Sequence, residues 1–351
     1  MKKILTTNTH WIYCTMLAKI PEIQLFVMSM RFQGRDKQEN YRPMPKNISH
    51  IPIDNPNLLA LYLHPDFLKQ IDHIILHQFS DLDIFCNNKA PWYKFLQPIP
   101  KTFLLHNSST TEFGNAPQEI INNKIRGLSQ IFQENNIRPC TISQFKAESW
   151  KMPMSVILPG IDTSEFVNSW TGRNNKIVFK DTFDNFALRV CSNFEHRDFM
   201  NGYKIGNNVL GQLRYPNVVL GEGNNPSQRL PNTVFTISNN LEHYKEYLSM
   251  ARFLFSANVP QFEDWYNLSS LEAVAVGTPL IMTQHERQNN IPEFTKYFPI
   301  VSDDYNLLIS ECKKLFMDWE YASHISKLQN GFIDKYFSLS KFVTSWTEIL
   351  K

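Results

Sequence analysis

Short apolar runs alternate along this chain with polar turns and amphipathic stretches, in the order strand, turn, helix, and the rhythm occurs twice. KILTT at residues 3–7 reads as a strand, the polar TNTHW follows, and residues 12–20 are apolar enough for a helix. That order opens a Rossmann-like unit. Residues 23–30 read as a second strand and residues 31–47, RFQGRDKQENYRPMPKN, as an exposed loop. HIILH at 73–77 and KTFLLH at 101–106 are further strands, each ending in a histidine. Residues 116–134 carry Ile120, Ile121, Ile125, Leu128, Ile131 and Phe132 at helical spacing, which predicts an amphipathic core helix. A strand near residues 139–142 leads to a helix for which Ser143 is the natural cap, and Pro159-Gly160 marks a turn.

The second round begins after a polar linker or hairpin at 168–184. ALRVC at 187–191 reads as a strand, residues 208–213 as helix, and VVLGEGN at 218–224 as a strand with a glycine turn. Strand 233–237, helix 241–251 and strand 252–257 then deliver the chain to residues 262–282, FEDWYNLSSLEAVAVGTPLIM. Here residues 267–270 are rich in cap formers. Leu268, Leu271, Ala273, Val274, Ala275 and Val276 make a compact helix ended by Gly277, and LIMT is a buried strand. FPIVSDD reads as a last short strand and turn, residues 306–316 as an amphipathic helix, and residues 337–351 as a terminal helix with Ser338 or Ser340 as its cap.

The turn at 267–270 has two readings. A helix start offers free backbone N–H groups and the positive end of its dipole, which suits a phosphate. Asp264 and Glu272 flank that turn, and carboxylates repel a phosphate, so they suit a ribose or sugar ring. Together these features describe a nucleotide-sugar pocket. Alternatively Ser269-Ser270-Leu271-Glu272 is a capping box, in which Glu272 only satisfies the first backbone N–H. In the first half, ligands of an open parallel sheet gather at the carboxyl ends of strands. His77, His106 with its polar Asn107-Ser108-Ser109 turn, and His10 in the TNTHW loop fall in such places.

Composition narrows the field. A chain of 351 residues and 41.1 kDa is long enough for two domains, and a net charge of +2 with pI near 8.2 is too mild to argue for nucleic acid. With 19% charged and 13% aromatic residues the surface leaves room for peripheral membrane contact. Five cysteines, Cys14, Cys86, Cys140, Cys191 and Cys312, lack metal-ligand spacing and suit a reducing cytosol. The N-terminus lacks a signal-peptide core, and no run approaches bilayer length. There is no G-x-G-x-x-G after the first strand, and no DxD triplet stands out to hold a metal on a diphosphate.

Residues 264–282 resemble the E-x7-E signature of retaining GT-B glycosyltransferases of the GT4 type (glycosyl transferases group 1), usually written EGFGLPPLEAMACGTPVI. Asp264 to Glu272 has that spacing, and LEAVAVGTPLI follows it almost word for word. Glu263 lies one residue earlier and is the other candidate for the first acid, while Trp265 replaces the family's small glycine. SVILPGIDTSEF resembles the hinge phrase VIxPGVDxxxF, TISQFKAESW the SxxxAxxW segment, and KTFLLH the strand before the family histidine. The G-R-L-x-x-x-K-G motif is imperfectly matched by SNFEHRDFMNG. Arg197 is the remaining cation for the donor diphosphate, with a surface ion pair to Glu195 or Asp198 as the other reading. The VxSxxGGxPE loop keeps Pro292-Glu293 but has Asn289-Asn290 for its glycines.

The resemblance implies an α/β GT-B fold, two Rossmann-like domains facing a central cleft. Residues 1–165 would bind the acceptor, 166–335 the donor, and 336–351 would cross back to the first domain. It implies sugar transfer with retention from a UDP- or GDP-linked donor to a glycan or lipid-linked acceptor, of cell-surface polysaccharide type, in the cytoplasm or at the inner membrane face. No cofactor, metal or nucleic acid is expected. His106, Glu263 and Asp264 would stand at the reacting centre, Arg197, Asn267, Leu268, Ser269 and Glu272 on the donor, and His10 and His77 on the acceptor side. A catalytically impaired nucleotide-sugar binder and an epimerase of the same fold are the alternatives.

Overall fold

The computed structural model describes residues 1–7, 11–29, 42–52, 63–114, 116–173, 185–190, 203–221, 232–259, 264, 266–283, 291, 293–299 and 302–351. They form two compact units, Met1–Gly160 together with Ser340–Lys351, and Ile161–Leu339.

The first unit runs β1 (Lys2–Thr7), α1 (Trp11–Leu17), β2 (Ile23–Ser29), β3 (Ile48–Pro52), α2 (Pro65–Leu68), β4 (His73–Leu76) and α3 (Phe79–Phe85). It continues with α4 (Tyr93–Leu96), β5 (Lys101–Leu105), α5 (Ser109–Phe113), α6 (Gln118–Glu134), β6 (Ile137–Thr141), α7 (Gln144–Trp150) and β7 (Ser155–Val156). Its seven strands lie in the order β3-β2-β1-β4-β5-β6-β7, every pairing parallel. Every residue of β4 and β5 is buried, so both faces of the sheet are covered, as parallel sheets require. Ser143 caps α7 by accepting from the Lys146 N–H, as the sequence predicts. The edge strand β3 escapes the sequence pattern. ISHIP buries Ile48 and Ile51 but interleaves Ser49 and His50, a pattern of an edge with little apolar surface.

The second unit runs β8 (Ala187–Val190), α8 (Tyr203–Leu213), β9 (Asn217–Leu220), β10 (Thr233–Thr236), α9 (Leu241–Met250), β11 (Phe253–Ser256), α10 (Leu268–Val276) and β12 (Leu280–Met282). Helices α11 (Phe294–Tyr297), α12 (Tyr305–Met317) and α13 (Trp319–Tyr336) complete it. The terminal helix α14 (Leu339–Ile349) follows, its residues from Ser340 onward belonging to the first unit. The sheet is again all parallel, in the order β10-β9-β8-β11-β12.

Helix α13 is absent from the sequence reading, and Gln329 shows why. This glutamine sits in the middle of the buried stripe Ala322, Ile325, Phe332 and Ile333, interrupting its apolar period. It is fully buried because Leu280 of the edge strand β12 donates to its Oε1 and accepts from its Nε2, both at 2.7 Å. The side-chain amide thus stands in for a neighbouring strand. Phe298 and Pro299 of the predicted FPIV strand are not in a strand, and residues 300–301 lie outside the described set.

Gly277 ends α10 at φ 96°, where a Cβ would lie 2.5 Å from the Asn168 side-chain oxygen. Gly277→Ala is therefore expected to cost more than the roughly 1–2 kcal/mol of a left-handed alanine, measurable as a lower midpoint in urea unfolding.

Candidate functional site

In the first sheet the strand order reverses between β1 and β4, and the carboxyl ends of these strands define a topological switch point. Thr6 and Thr7 end β1, and His77 directly follows β4. One oxygen of the buried Asp81 carboxylate accepts from Thr7 Oγ1 at 2.7 Å, the His77 N–H at 2.8 Å and the Gln78 N–H at 2.9 Å. Burial pushes the Asp81 acid upward, and the three donors pull it back. Asp81 thereby ties β1, β4 and the start of α3 together.

His77 and His106, twenty-nine positions apart in sequence, meet here. His77 Nδ1 lies 2.9 Å from His106 Nε2, and the rings stack with centroids 5.1 Å apart. On its other side His77 Nε2 lies 2.9 Å from the Thr6 hydroxyl, which donates to the Ile75 carbonyl at 3.0 Å. The ring of Tyr13 from α1 packs edge-on against His106, centroids 5.2 Å apart. Its hydroxyl accepts from Trp346 Nε1 of α14 at 3.1 Å, and burial holds its phenol far above its ordinary range. The terminal helix therefore braces the histidine pair through one tyrosine.

In the second sheet the order reverses between β8 and β11, and the 264–272 segment leaves the carboxyl end of β11. Asn267 is the cap of α10, its side chain accepting from the Ser270 N–H at 2.8 Å. This corrects the capping-box reading, which puts the cap at Ser269 and Glu272 three residues on. With the cap at Asn267 the third helical residue is Ser270, and Glu272 lies two residues past the position from which a side chain reaches back to the cap N–H. Glu272 is nevertheless buried, at 4% exposure, as is Asp264 at 3%. Asn258 orders the approach to the helix. Its side chain donates to the Asp264 carbonyl at 2.7 Å and accepts from Asn267 Nδ2 at 3.3 Å. Ser256, the last residue of β11, accepts from Ser270 Oγ at 3.3 Å. The amides of Leu268 and Ser269 head the helix with no partner among the described residues.

His10, Arg197, Glu263 and Trp265 lie outside the described residues. Among the described residues no group of three or more His, Cys, Asp or Glu side chains is gathered to hold a metal, and no helix is long and apolar enough to cross a membrane. Cys14, Cys86, Cys140 and Cys312 are free thiols.

No protein-family model and no curated protein matches the sequence. Solved structures do match, over the whole length. HepE of Anabaena, described in complex with UDP-glucose, is 12% identical with a TM-score of 0.72, covering 100% of this chain and 99% of its own. Sucrose-phosphate synthase from Thermosynechococcus elongatus is 13% identical with a TM-score of 0.69, covering 99% and 98%. A glycosyltransferase from Rickettsia africae is 13% identical with a TM-score of 0.66, covering 100% and 98%. The fold is that of GT-B glycosyltransferases.

Within this GT-B fold the residues missed from sequence are the supporting ones. Thr6 and Thr7 give no local signal, because their partners lie some seventy positions away, whereas Asp81 has one, standing three residues after Gln78 at the start of α3 and accepting from its N–H. Asn258 follows a strand and looks like any loop asparagine. Arg189 has a signal, a guanidinium inside the apolar ALRVC run. It is buried, donates to Asn207 Oδ1 at 2.9 Å, and lies where a Cβ on Gly206 would stand 2.5 Å from its Nη1.

Proposed function

We propose that this chain is a glycosyltransferase, moving a sugar from a UDP- or GDP-linked donor to a glycan or lipid-linked acceptor with retention and without a metal or other cofactor. The observation that carries the proposal is the start of α10. The Asn267 cap consumes the Ser270 N–H, the Leu268 and Ser269 amides head the helix, and two buried carboxylates, Asp264 and Glu272, flank it. That is an anion seat beside hydroxyl acceptors, in a fold whose relatives include HepE bound to UDP-glucose and TarM bound to UDP.

In this reading the amides of Leu268 and Ser269, with Arg197, hold the donor diphosphate and stabilise it as it leaves. Glu272 accepts from the ribose hydroxyls, and Asp264 or Glu263 from the sugar. The burial of Asp264 and its seven-residue interval to Glu272 favour Asp264. His106 faces the donor sugar, and His10 and His77 serve the acceptor side. The family resemblance supports retention, a cytoplasmic or inner-membrane-face location and a role in cell-surface polysaccharide assembly.

The test is a panel of UDP- and GDP-sugars followed by calorimetry and product analysis. Transfer or slow donor hydrolysis with one nucleotide class is expected. Tight binding without turnover of any donor would indicate an impaired relative, and C-epimerised sugar without transfer an epimerase. If no nucleotide binds, the proposal is wrong. Asn267→Asp separates the anion seat from a bare cap. Aspartate caps a helix as well as asparagine but cannot donate to Asn258 Oδ1 as the Asn267 amide does, so a stability loss of only about 1 kcal/mol is expected. UDP affinity is expected to fall at least about fivefold, because a carboxylate then faces the phosphates.

A further inference from the structure

We infer that residues 168–172 position the donor through the far end of α10, with Trp170 as the positioning residue. This role rests on the reading of the α10 start as the seat of the donor diphosphate.

A helix leaves its last four carbonyls without partners of its own. In α10 these belong to residues 273–276. The left-handed turn at Gly277 answers two of them. Gly277 N–H donates to the Val274 carbonyl at 3.0 Å and Thr278 N–H to that of Ala273 at 2.9 Å, the pairing of a Schellman motif. Asn330 of α13 donates from Nδ2 to the Ala275 carbonyl at 3.0 Å. The last carbonyl, that of Val276, accepts from the N–H groups of Ser169 and Trp170 at 3.0 and 3.1 Å. The cap of α10 is thus completed by a segment that precedes the whole sheet of this unit in sequence. Segment and helix end lie in close contact, since a Cβ on Gly277 would stand 2.5 Å from the Asn168 side-chain oxygen and 3.1 Å from Trp170 Cβ.

Trp170 is itself held on two sides. Its Nε1 donates to the Ala251 carbonyl at 2.8 Å, and its ring stacks on Trp319, with centroids 4.9 Å and planes 4° apart. The N–H groups of Thr171 and Gly172 both donate to the Ser249 carbonyl, at 2.9 and 3.1 Å. Ser249 and Ala251 stand at the end of α9, where the chain turns into β11. That strand delivers Ser256 and Asn258, the partners of Ser270 and Asn267 at the helix start. Trp170 therefore joins the two elements that carry the anion seat, at their ends remote from it.

A nine-residue helix is about 13 Å long and moves as a rod. The short side chains of Ala273, Val274, Ala275 and Val276 interlock little along the helix axis, so its polar ends set where the Leu268 and Ser269 amides stand. Those amides tolerate a shift of only a few tenths of an ångström from a phosphate oxygen, and a misplacement of about 1 Å in a site costs on the order of a hundredfold.

The test is calorimetry of the full chain with UDP or GDP, whichever the wild type binds, at a temperature where every variant is folded. Trp170→Ala is expected to weaken binding at least about fivefold, and Trp170→Phe, which keeps a ring against Trp319, by about threefold or less. Tyr215→Ala is the control. Tyr215 stacks on Phe316 of α12 in the same unit, centroids 4.2 Å apart, and its truncation should lower the urea midpoint without moving nucleotide affinity. A folded Trp170→Ala chain with wild-type affinity would overturn the positioning role. So would a Tyr215→Ala chain weakened to the same degree, because the loss would then reflect general destabilisation. If Trp170→Ala does not fold, hydrogen exchange of the wild type decides. The nucleotide is expected to slow the Ser169 and Trp170 amides more than those of α12, and equal slowing would overturn the role. If the wild type binds neither nucleotide, the donor-seat reading falls and the positioning role with it, whereas wild-type binding that survives Trp170→Ala unchanged refutes the positioning role alone.

Discussion

Glu272→Gln is expected to lower kcat/KM for the donor by about tenfold to a hundredfold while leaving the fold intact. Glutamine keeps the shape and one acceptor oxygen, so the loss is that of charge. Hydrogen bonds to a charged group are worth roughly 1.5–3 kcal/mol, and each 1.4 kcal/mol is a factor of ten. The structure sharpens this expectation because it removes the competing role. Were Glu272 the capping-box partner of Ser269, its substitution would cost helix stability. With Asn267 as the cap, Glu272 has no such duty and its carboxylate is nonetheless buried beside the helix start. Steady-state kinetics across donor concentrations, with UDP affinity by calorimetry, checks the point. A ribose contact would weaken UDP and the UDP-sugar alike. A variant with wild-type kcat/KM would remove Glu272 from the donor site.

Trp346→Ala should be the most destabilising single truncation in the terminal helix. The indole is fully buried, packs against Tyr13 and Phe342, and donates its N–H to the Tyr13 hydroxyl. Removing such a side chain costs about 3–5 kcal/mol, and the phenol also loses a hydrogen-bond partner in a place where burial prevents water from replacing it. The first unit should lose much of its resistance to urea, seen as a lower midpoint in equilibrium unfolding. Trp346→Phe, which keeps most of the packing and loses only the N–H, is expected to recover more than half of the loss. Because Tyr13 packs against His106, Trp346→Phe should also shift the ring resonances of His106 in a magnetic resonance spectrum of the folded chain, whereas a truncation elsewhere on the exposed face of α14 should not. An alanine variant with unchanged urea resistance would show that α14 does not brace this unit.

The helix of the 262–282 segment is legible in the sequence because its signals are local. A cap-forming turn, a run of small apolar residues and a glycine at φ 96° lie within eleven consecutive positions, 267–277. The identity of the cap is not legible there. Asn267 and Ser269 are both good caps, and the choice is made by Asn258 and Ser256, which arrive from β11 and hold Asn267 and Ser270 in place. Helix α13 is hidden for a similar reason: Gln329 looks polar in sequence and becomes a core residue only because the β12 edge lies against it.

The sequence by itself determined the alternation of most strands and helices and the short apolar helix at 268–276 with its glycine end. Each depends on residues within a few positions of one another, where propensity and spacing act directly. Only the tertiary structure decided that the two sheets are parallel with a reversal at β1–β4 and β8–β11, and that His77 and His106 touch. It also decided that Thr6 orients them and that Tyr13 and Trp346 clamp them from α1 and α14. These features depend on hydrogen-bond partners up to 333 positions apart. No local pattern encodes such a partner, because the pairing exists only once packing has brought the strands side by side and removed the water that would otherwise have satisfied each group alone.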